Sequence, residues 1–100
     1  LEDNGLTLIA RNYRSPFGEI DLVMREGEVL VFVEVRRRAS ERFGTPAETV
    51  GRQKQRRLRA TAEHYLQQHP RESQKPCRFD ILAITDDSHT QRIEWLRDAF

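Results

Sequence analysis

Apolar and polar residues alternate along several short stretches of the chain and recur once with helical spacing. Leu6–Tyr13 is rich in β-formers and follows Asn4-Gly5, a helix end or turn, while Ser15-Pro16 breaks it. Gly18–Arg25 alternates cleanly, with Ile20, Leu22 and Met24 on one face and Glu19, Asp21 and Val23 on the other. Glu26-Gly27 predicts a tight turn. Glu28–Arg36 has apolar residues on both faces, the mark of a central strand covered on both sides. Arg37–Gly44 reads as a loop. Thr45-Pro46-Ala47-Glu48 then offers a threonine cap, a proline at the first helical position and a glutamate three residues after the cap, so a short helical turn is expected there, broken near Gly51. The main helix is predicted over about Arg52–Gln68, because Leu58, Ala62, Tyr65 and Leu66 share one stripe and Pro70 stops it. Past the polar connector Arg71–Pro76, Arg78–Thr85 reads as a buried strand, Asp86-Asp87-Ser88 as a turn and Gln91–Arg97 as an edge strand.

The order β-β-β-α-β-β predicts an α/β fold with a mixed sheet. Three strands form an antiparallel meander, and the helix crosses over so that Arg78–Thr85 returns parallel to one of them, in the right-handed sense. One helix covers only one face of such a sheet, so the apolar residues of the other face call for a second helix ahead of the first strand. Leu1 in place of a methionine reads as a start inside a longer gene product, so this N-terminal helix is expected to be truncated.

One hundred residues make a single domain, 1–100, with no repeats or low-complexity segments. An apolar fraction of 37% against 33% charged residues suits a small soluble protein with a charged exterior. No apolar run approaches the ~20 residues that span a bilayer, and nothing resembles a cleavable signal. Cys77, the only cysteine, permits no internal disulfide and no thiolate zinc cluster; it reads as a small filler in or near the core and points to a reducing, cytoplasmic setting. His64, His69 and His89 show no ligand spacing. The net charge of +1 hides an asymmetry. Arg36, Arg37, Arg38, Arg42, Arg52, Lys54, Arg56, Arg57 and Arg59 outnumber Glu41 and Glu48, making that stretch +7 and leaving −6 for the remainder. This is the pattern of a polyanion-binding face, although a run of charge also occurs on any solvated helix face.

A two-residue turn at Glu26-Gly27 sets Arg25 opposite Glu28, Asp21 opposite Phe32 and Glu19 opposite Glu34. Glu19, Asp21, Glu34 and Arg36 then project from one face, at the hairpin end away from the turn. Facing carboxylates among Val and Phe neighbours are unfavourable unless a cation compensates. Two arrangements relieve the conflict: a structural ion pair with Arg36, or a divalent metal, Mg²⁺ or Mn²⁺, held through a few carboxylates. Lys54 precedes Leu58, Thr61 and Tyr65 by four, seven and eleven residues, which places it on the core-facing stripe and over the carboxylate end of the sheet. Snorkelling along the helix edge is the plain alternative.

Gly18-Glu19-Ile20-Asp21, Phe32-Val33-Glu34-Val35-Arg36, the Lys54 helix with Ala62 and Tyr65-Leu66, and Cys77-Arg78-Phe79-Asp80 together closely resemble the YraN-like family of uncharacterised, endonuclease-like proteins. That family is similar to the archaeal Holliday-junction resolvases of the PD-(D/E)xK, or restriction-endonuclease-like, superfamily. The resemblance covers essentially the whole chain and implies a restriction-endonuclease-like core. It implies metal ligation by Asp21 and Glu34, with Glu19 as an additional acidic residue, and a catalytic group of Asp21, Glu34, Arg36, Glu19 and Lys54. It also implies an N-terminal helix bearing a further acidic residue, of which Leu1–Gly5 resembles only the end. Arg36 stands where the superfamily usually has lysine, and arginine neither donates nor accepts a proton near neutral pH. Asp80 is expected to be structural, bonding Arg78 or a helix end, with a place near the acidic site as the alternative. Trp95 and Phe100 read as packing residues rather than base platforms.

The leading expectation is a Mg²⁺- or Mn²⁺-dependent endonuclease acting on DNA, branched or structured DNA included, with Arg37, Arg38, Arg52, Lys54, Arg56 and Arg57 as the nucleic-acid contacts. The alternative is a catalytically weak or inactive nucleic-acid-binding module of the same fold, which the arginine at position 36 supports. A third possibility, docking of an acidic protein on the basic face, has only the charge behind it. DNA is favoured over RNA, no membrane role is expected, and the similarity to dimeric resolvases implies a homodimer by analogy.

Overall fold

A computed structural model describes residues 5–38, 50–86 and 90–100. Strands β1 (Thr7–Ser15), β2 (Gly18–Glu26) and β3 (Val29–Arg38) form the antiparallel meander. Helix α1 (Arg52–Gln68) follows, then a 3₁₀ turn at Pro70–Glu72, strand β4 (Cys77–Asp86) and strand β5 (Gln91–Leu96). The five strands lie in sequence order, with β3 and β4 parallel and β4 and β5 antiparallel. This mixed α/β sheet with one crossover helix is the architecture expected from the sequence, and it is consistent with a restriction-endonuclease-like core. The region read as a short helical turn at Thr45–Glu48, most of the Arg37–Gly44 loop, the tip of the Asp86–Ser88 turn and residues 1–4, read as the end of an N-terminal helix, lie outside the described residues. The strand itself runs on to Arg38, because β4 continues beside it with Arg37 against Ile84 and Arg38 against Thr85.

Apolar side chains divide into two clusters, one on each side of the sheet. Under α1 lie Ile20, Val23, Leu30, Phe32, Phe79, Ile81 and Ala83, met by Leu58, Ala62 and Tyr65 of the helix. Phe32 packs edge-on against Tyr65 and beside Phe79, with ring centroids 5.8 and 5.5 Å apart. Phe100 stacks on Phe79, which makes it a packing residue as the sequence suggests. On the other side Leu6, Met24, Val31, Val33 and Leu82 gather with Trp95 against them. β3 feeds both clusters, which explains its nearly unbroken apolar run.

Two local features differ from the simple alternation. The β2–β3 turn is Gly27-Glu28 rather than Glu26-Gly27: Glu26 pairs with Val29, Arg25 with Leu30 and Val23 with Phe32. Gly27 takes φ +59° as the first central residue of the turn, a conformation that glycine adopts without a Cβ penalty and glutamate does not. The shift is two residues, so the faces survive while the partners change. Ile20 also leaves the face it was expected to share with Leu22 and Met24 and packs with Val23 under the helix. The alternation breaks between Ile20 and Val23, across from Asn12 with its positive φ of 51° on β1, and the β1–β2 register shifts between Leu8 and Ala10.

Cys77 begins β4 and is exposed, which corrects the expectation of a core filler: it stands at the first position of the strand, ahead of the buried stretch that starts at Phe79. Among the described residues no helix is long and apolar enough to cross a membrane.

Candidate functional site

The β2–β3 register, continued one pair beyond Leu22 and Val33, brings Asp21 beside Glu34. The two carboxyl groups lie near enough for Asp21 to act on Glu34. The β3 backbone fixes this arrangement, since the Val35 N–H donates to Asp21 Oδ2 at 2.8 Å instead of to a strand carbonyl. A main-chain donor of this kind leaves no trace in the sequence. Glu34 is only 4% exposed, on the helix side of β3, where Phe32 precedes it and Arg36 follows. Burial, and then the Asp21 carboxyl, push the Glu34 pKa above its ordinary value, with Lys54 pulling the other way.

Lys54 enters from the first turn of α1, its Nζ 3.0 Å from Glu34 Oε2. Arg36 approaches the same oxygen at 3.7 Å. The helix spacing that put Lys54 over the carboxylate end of the sheet therefore describes the observed contact. Of the expected catalytic group, Asp21, Glu34, Arg36 and Lys54 are brought together. Glu19 is not paired with Glu34. It lies across from Arg14 on β1 and forms an ion pair with it at 3.6 Å. The expectation failed because the turn sits one residue later and the alternation of β2 breaks at Asp21. Among the described residues no group of three acidic, histidine or cysteine side chains is arranged to hold a metal.

The amino-terminal half of α1 continues this charge. Arg52, Lys54, Arg56, Arg57 and Arg59 take five of its first eight positions, with no acidic residue in the first turn and no side-chain cap on Gly51. Cations at the positive end of a helix dipole oppose it. Arg52, Arg56 and Arg57 are exposed, whereas Arg59 lies over the Phe79 ring. Arg37 is ion-paired with Asp86 at 2.9 Å, and the side chain of Arg38 lies outside the described residues.

The other candidate residues have structural partners. Asp80 is fully buried on the sheet face away from α1, where it accepts from Arg78, from the Trp95 indole at 2.6 Å and from the Asp98 N–H at 2.9 Å. It is structural, as the bond to Arg78 anticipated. Trp95 packs in the second cluster. His64 shares a hydrogen bond with the Tyr13 hydroxyl, and His69 Nδ1 donates to the Tyr65 carbonyl; His89 lies outside the described residues.

Residues 1–84 match the model of the uncharacterised protein family UPF0102. The chain is 54% identical over 97 residues to a UPF0102 protein of Shewanella amazonensis, covering 97% of this chain and 84% of that one. It is 51% identical over 100 residues to one from Nitrosomonas europaea and 49% to one from Nitrosococcus oceani, covering 82% and 81% of those proteins.

Proposed function

The chain belongs to the uncharacterised protein family UPF0102, and we propose that it is a divalent-metal-dependent nuclease acting on DNA, branched or structured DNA included. One observation carries this reading: a buried carboxylate lies beside a second carboxylate and within ion-pair reach of two cations, at the end of the sheet where an arginine-rich helix begins. Two neighbouring oxygen ligands, one inclined to hold a proton, suit a hard divalent cation such as Mg²⁺ or Mn²⁺. Asp21 and Glu34 would hold it, with waters, main-chain carbonyls or a phosphate oxygen filling the remaining positions. A bound ion supplies Lewis acidity toward a phosphoryl oxygen and lowers the pKa of a water.

The protein's own groups do the rest. The Val35 N–H keeps Asp21 aimed at its partner. Lys54 and Arg36 balance the carboxylate charge and can turn to a phosphate as charge develops there. Arg36 can serve there as a fixed charge and hydrogen-bond donor rather than as a proton relay. Arg52, Arg56 and Arg57 supply phosphate contacts along the exposed side of α1.

A second reading, nucleic-acid binding without turnover, draws support from Lys54 and Arg36 standing within ion-pair reach of Glu34, where they can compensate its charge. A Mn²⁺ titration with a cleavage assay separates the two. The nuclease reading expects Mn²⁺ binding and DNA cleavage, both lost together in Asp21→Asn and Glu34→Gln. DNA binding that is indifferent to metal and to both substitutions, with no cleavage, would refute it in favour of the binding module.

A further inference from the structure

Resting on that reading, we propose that Phe17 is a stacking platform for an unpaired base, so that the preferred nucleic acid carries an unstacked nucleotide close to the carboxylates. Phe17 occupies the turn between β1 and β2 and is 54% exposed, the one aromatic among the described residues to stand so open. A single exposed apolar residue is ordinary on a protein surface. Its setting is what distinguishes it.

The turn is tied to the helix through a chain of hydroxyls. The Phe17 N–H donates to Ser15 Oγ at 3.0 Å, and that hydroxyl donates to Thr61 Oγ1 at 3.1 Å. Thr61 is fully buried in α1 and donates in turn to the Arg57 carbonyl at 2.8 Å. Gly18 lies so close to the helix that a Cβ there would stand 3.4 Å from Thr61 Oγ1 and 3.6 Å from Arg57 Cβ. One side of the aromatic ring meets the edge of His64, which the Tyr13 hydroxyl holds at 2.6 Å. The ring is thus anchored at its base, and its ordering requires little further loss of freedom on binding.

Two arginines belong to the same corner: Arg14, exposed, three residues earlier in the chain and paired with Glu19, and Arg57, whose Cβ lies over the neighbouring glycine. Aromatic rings interleaved with cations are what single-stranded nucleic acid recognises, because every base offers a π face while the phosphates need positive charge. The position fits the same partner. β2 starts at Gly18 and runs antiparallel to β3, so the turn stands at the end of the sheet that holds Glu34. Phe17 precedes Asp21 by four residues, about 13 Å of strand.

The test uses the whole chain in EDTA, so that nothing is cleaved, with two labelled DNAs: a blunt duplex and the same duplex with a short unpaired tail containing 2-aminopurine. Wild type should prefer the tailed duplex and quench the 2-aminopurine. Phe17→Ala should weaken tailed-duplex binding by about tenfold and the blunt duplex by less than about twofold, as the loss of one stacked base implies. Phe17→Trp should restore both preference and quenching. If Phe17→Ala binds the tailed duplex as well as wild type, or weakens both DNAs equally, the stacking role is wrong and the nuclease reading stands. Failure of wild type to bind either DNA at low salt would remove both.

Discussion

Replacing Asp80 should unfold this protein long before it disturbs the candidate site. Asp80 is fully buried beside Val33, on the sheet face opposite Glu34, and three donors depend on its two oxygens. Arg78 reaches it through Nε at 3.0 Å, the Trp95 indole at 2.6 Å and the Asp98 backbone at 2.9 Å. Those last two bonds tether β5 and the following turn to β4. Removing one partner of a buried ion pair typically costs ~3–5 kcal/mol. Arg78 keeps a second carboxylate, Glu26 at 2.8 Å, which argues for the lower end of that range. The indole and the amide each add a donor left without its acceptor, at ~1–3 kcal/mol if no water reaches them. Trp95 is only half-buried, so solvent recovers part of this. A total of about 4 kcal/mol for Asp80→Ala, out of a typical ~5–15 kcal/mol for a small domain, is a large share. With an m-value of ~2 kcal/mol per molar urea, the midpoint should fall by about 2 M. Asp80→Asn retains one carbonyl oxygen and should lose about half as much. Urea titration followed by Trp95 fluorescence and by circular dichroism measures both. Mn²⁺ binding of the folded Asp80→Asn variant should match wild type. A midpoint shift below about 0.5 M for the alanine variant would refute the buried-network account, and loss of metal binding by the folded asparagine variant would refute the separation of the two faces.

Glu34 gives the opposite signature in metal-free protein. Burial and the Asp21 carboxyl raise its pKa above the ordinary 4.5, so the folded chain binds that proton more tightly than the unfolded one. Its contribution is complete below 4.5 and is lost as pH rises through the raised value, so wild type loses stability across that window relative to Glu34→Gln. Urea midpoints of the two proteins in EDTA, compared at successive pH values, should diverge in favour of the variant; parallel curves would contradict the burial of a strained carboxylate. Arg56→Ala with Arg57→Ala should flatten the slope of log affinity for DNA against log salt by about two, one for each phosphate that an arginine no longer neutralises. An unchanged slope would move the nucleic-acid surface off α1.

Much of the architecture is written in local pattern. The run Glu28–Arg36, apolar on both sides, pointed to a central strand, and Pro70 with the Leu58, Ala62 and Tyr65 stripe placed α1 over Arg52–Gln68. Helical periodicity also placed Lys54 over the carboxylate end of the sheet, because neighbours on a helix face are fixed by angle alone. Strand partners are not fixed that way. Which two residues turn the β2–β3 hairpin depends on one glycine accepting a positive φ, and the answer moved Glu34 from Glu19 to Asp21. The break in alternation between Ile20 and Val23 puts both side chains into the cluster under α1, a packing outcome that no stretch of β2 announces. The exposure of Phe17 is hidden from the sequence for a similar reason. Ser15-Pro16 signals a turn, but the Ser15–Thr61 bond that holds the turn open at the edge of the helix joins residues 46 positions apart. Sequence periodicity thus determined the elements, their order and the faces of the helix, since those follow from backbone geometry within a few residues. Tertiary structure alone decided which carboxylates meet and which aromatic stays exposed, since both depend on packing between segments distant along the chain.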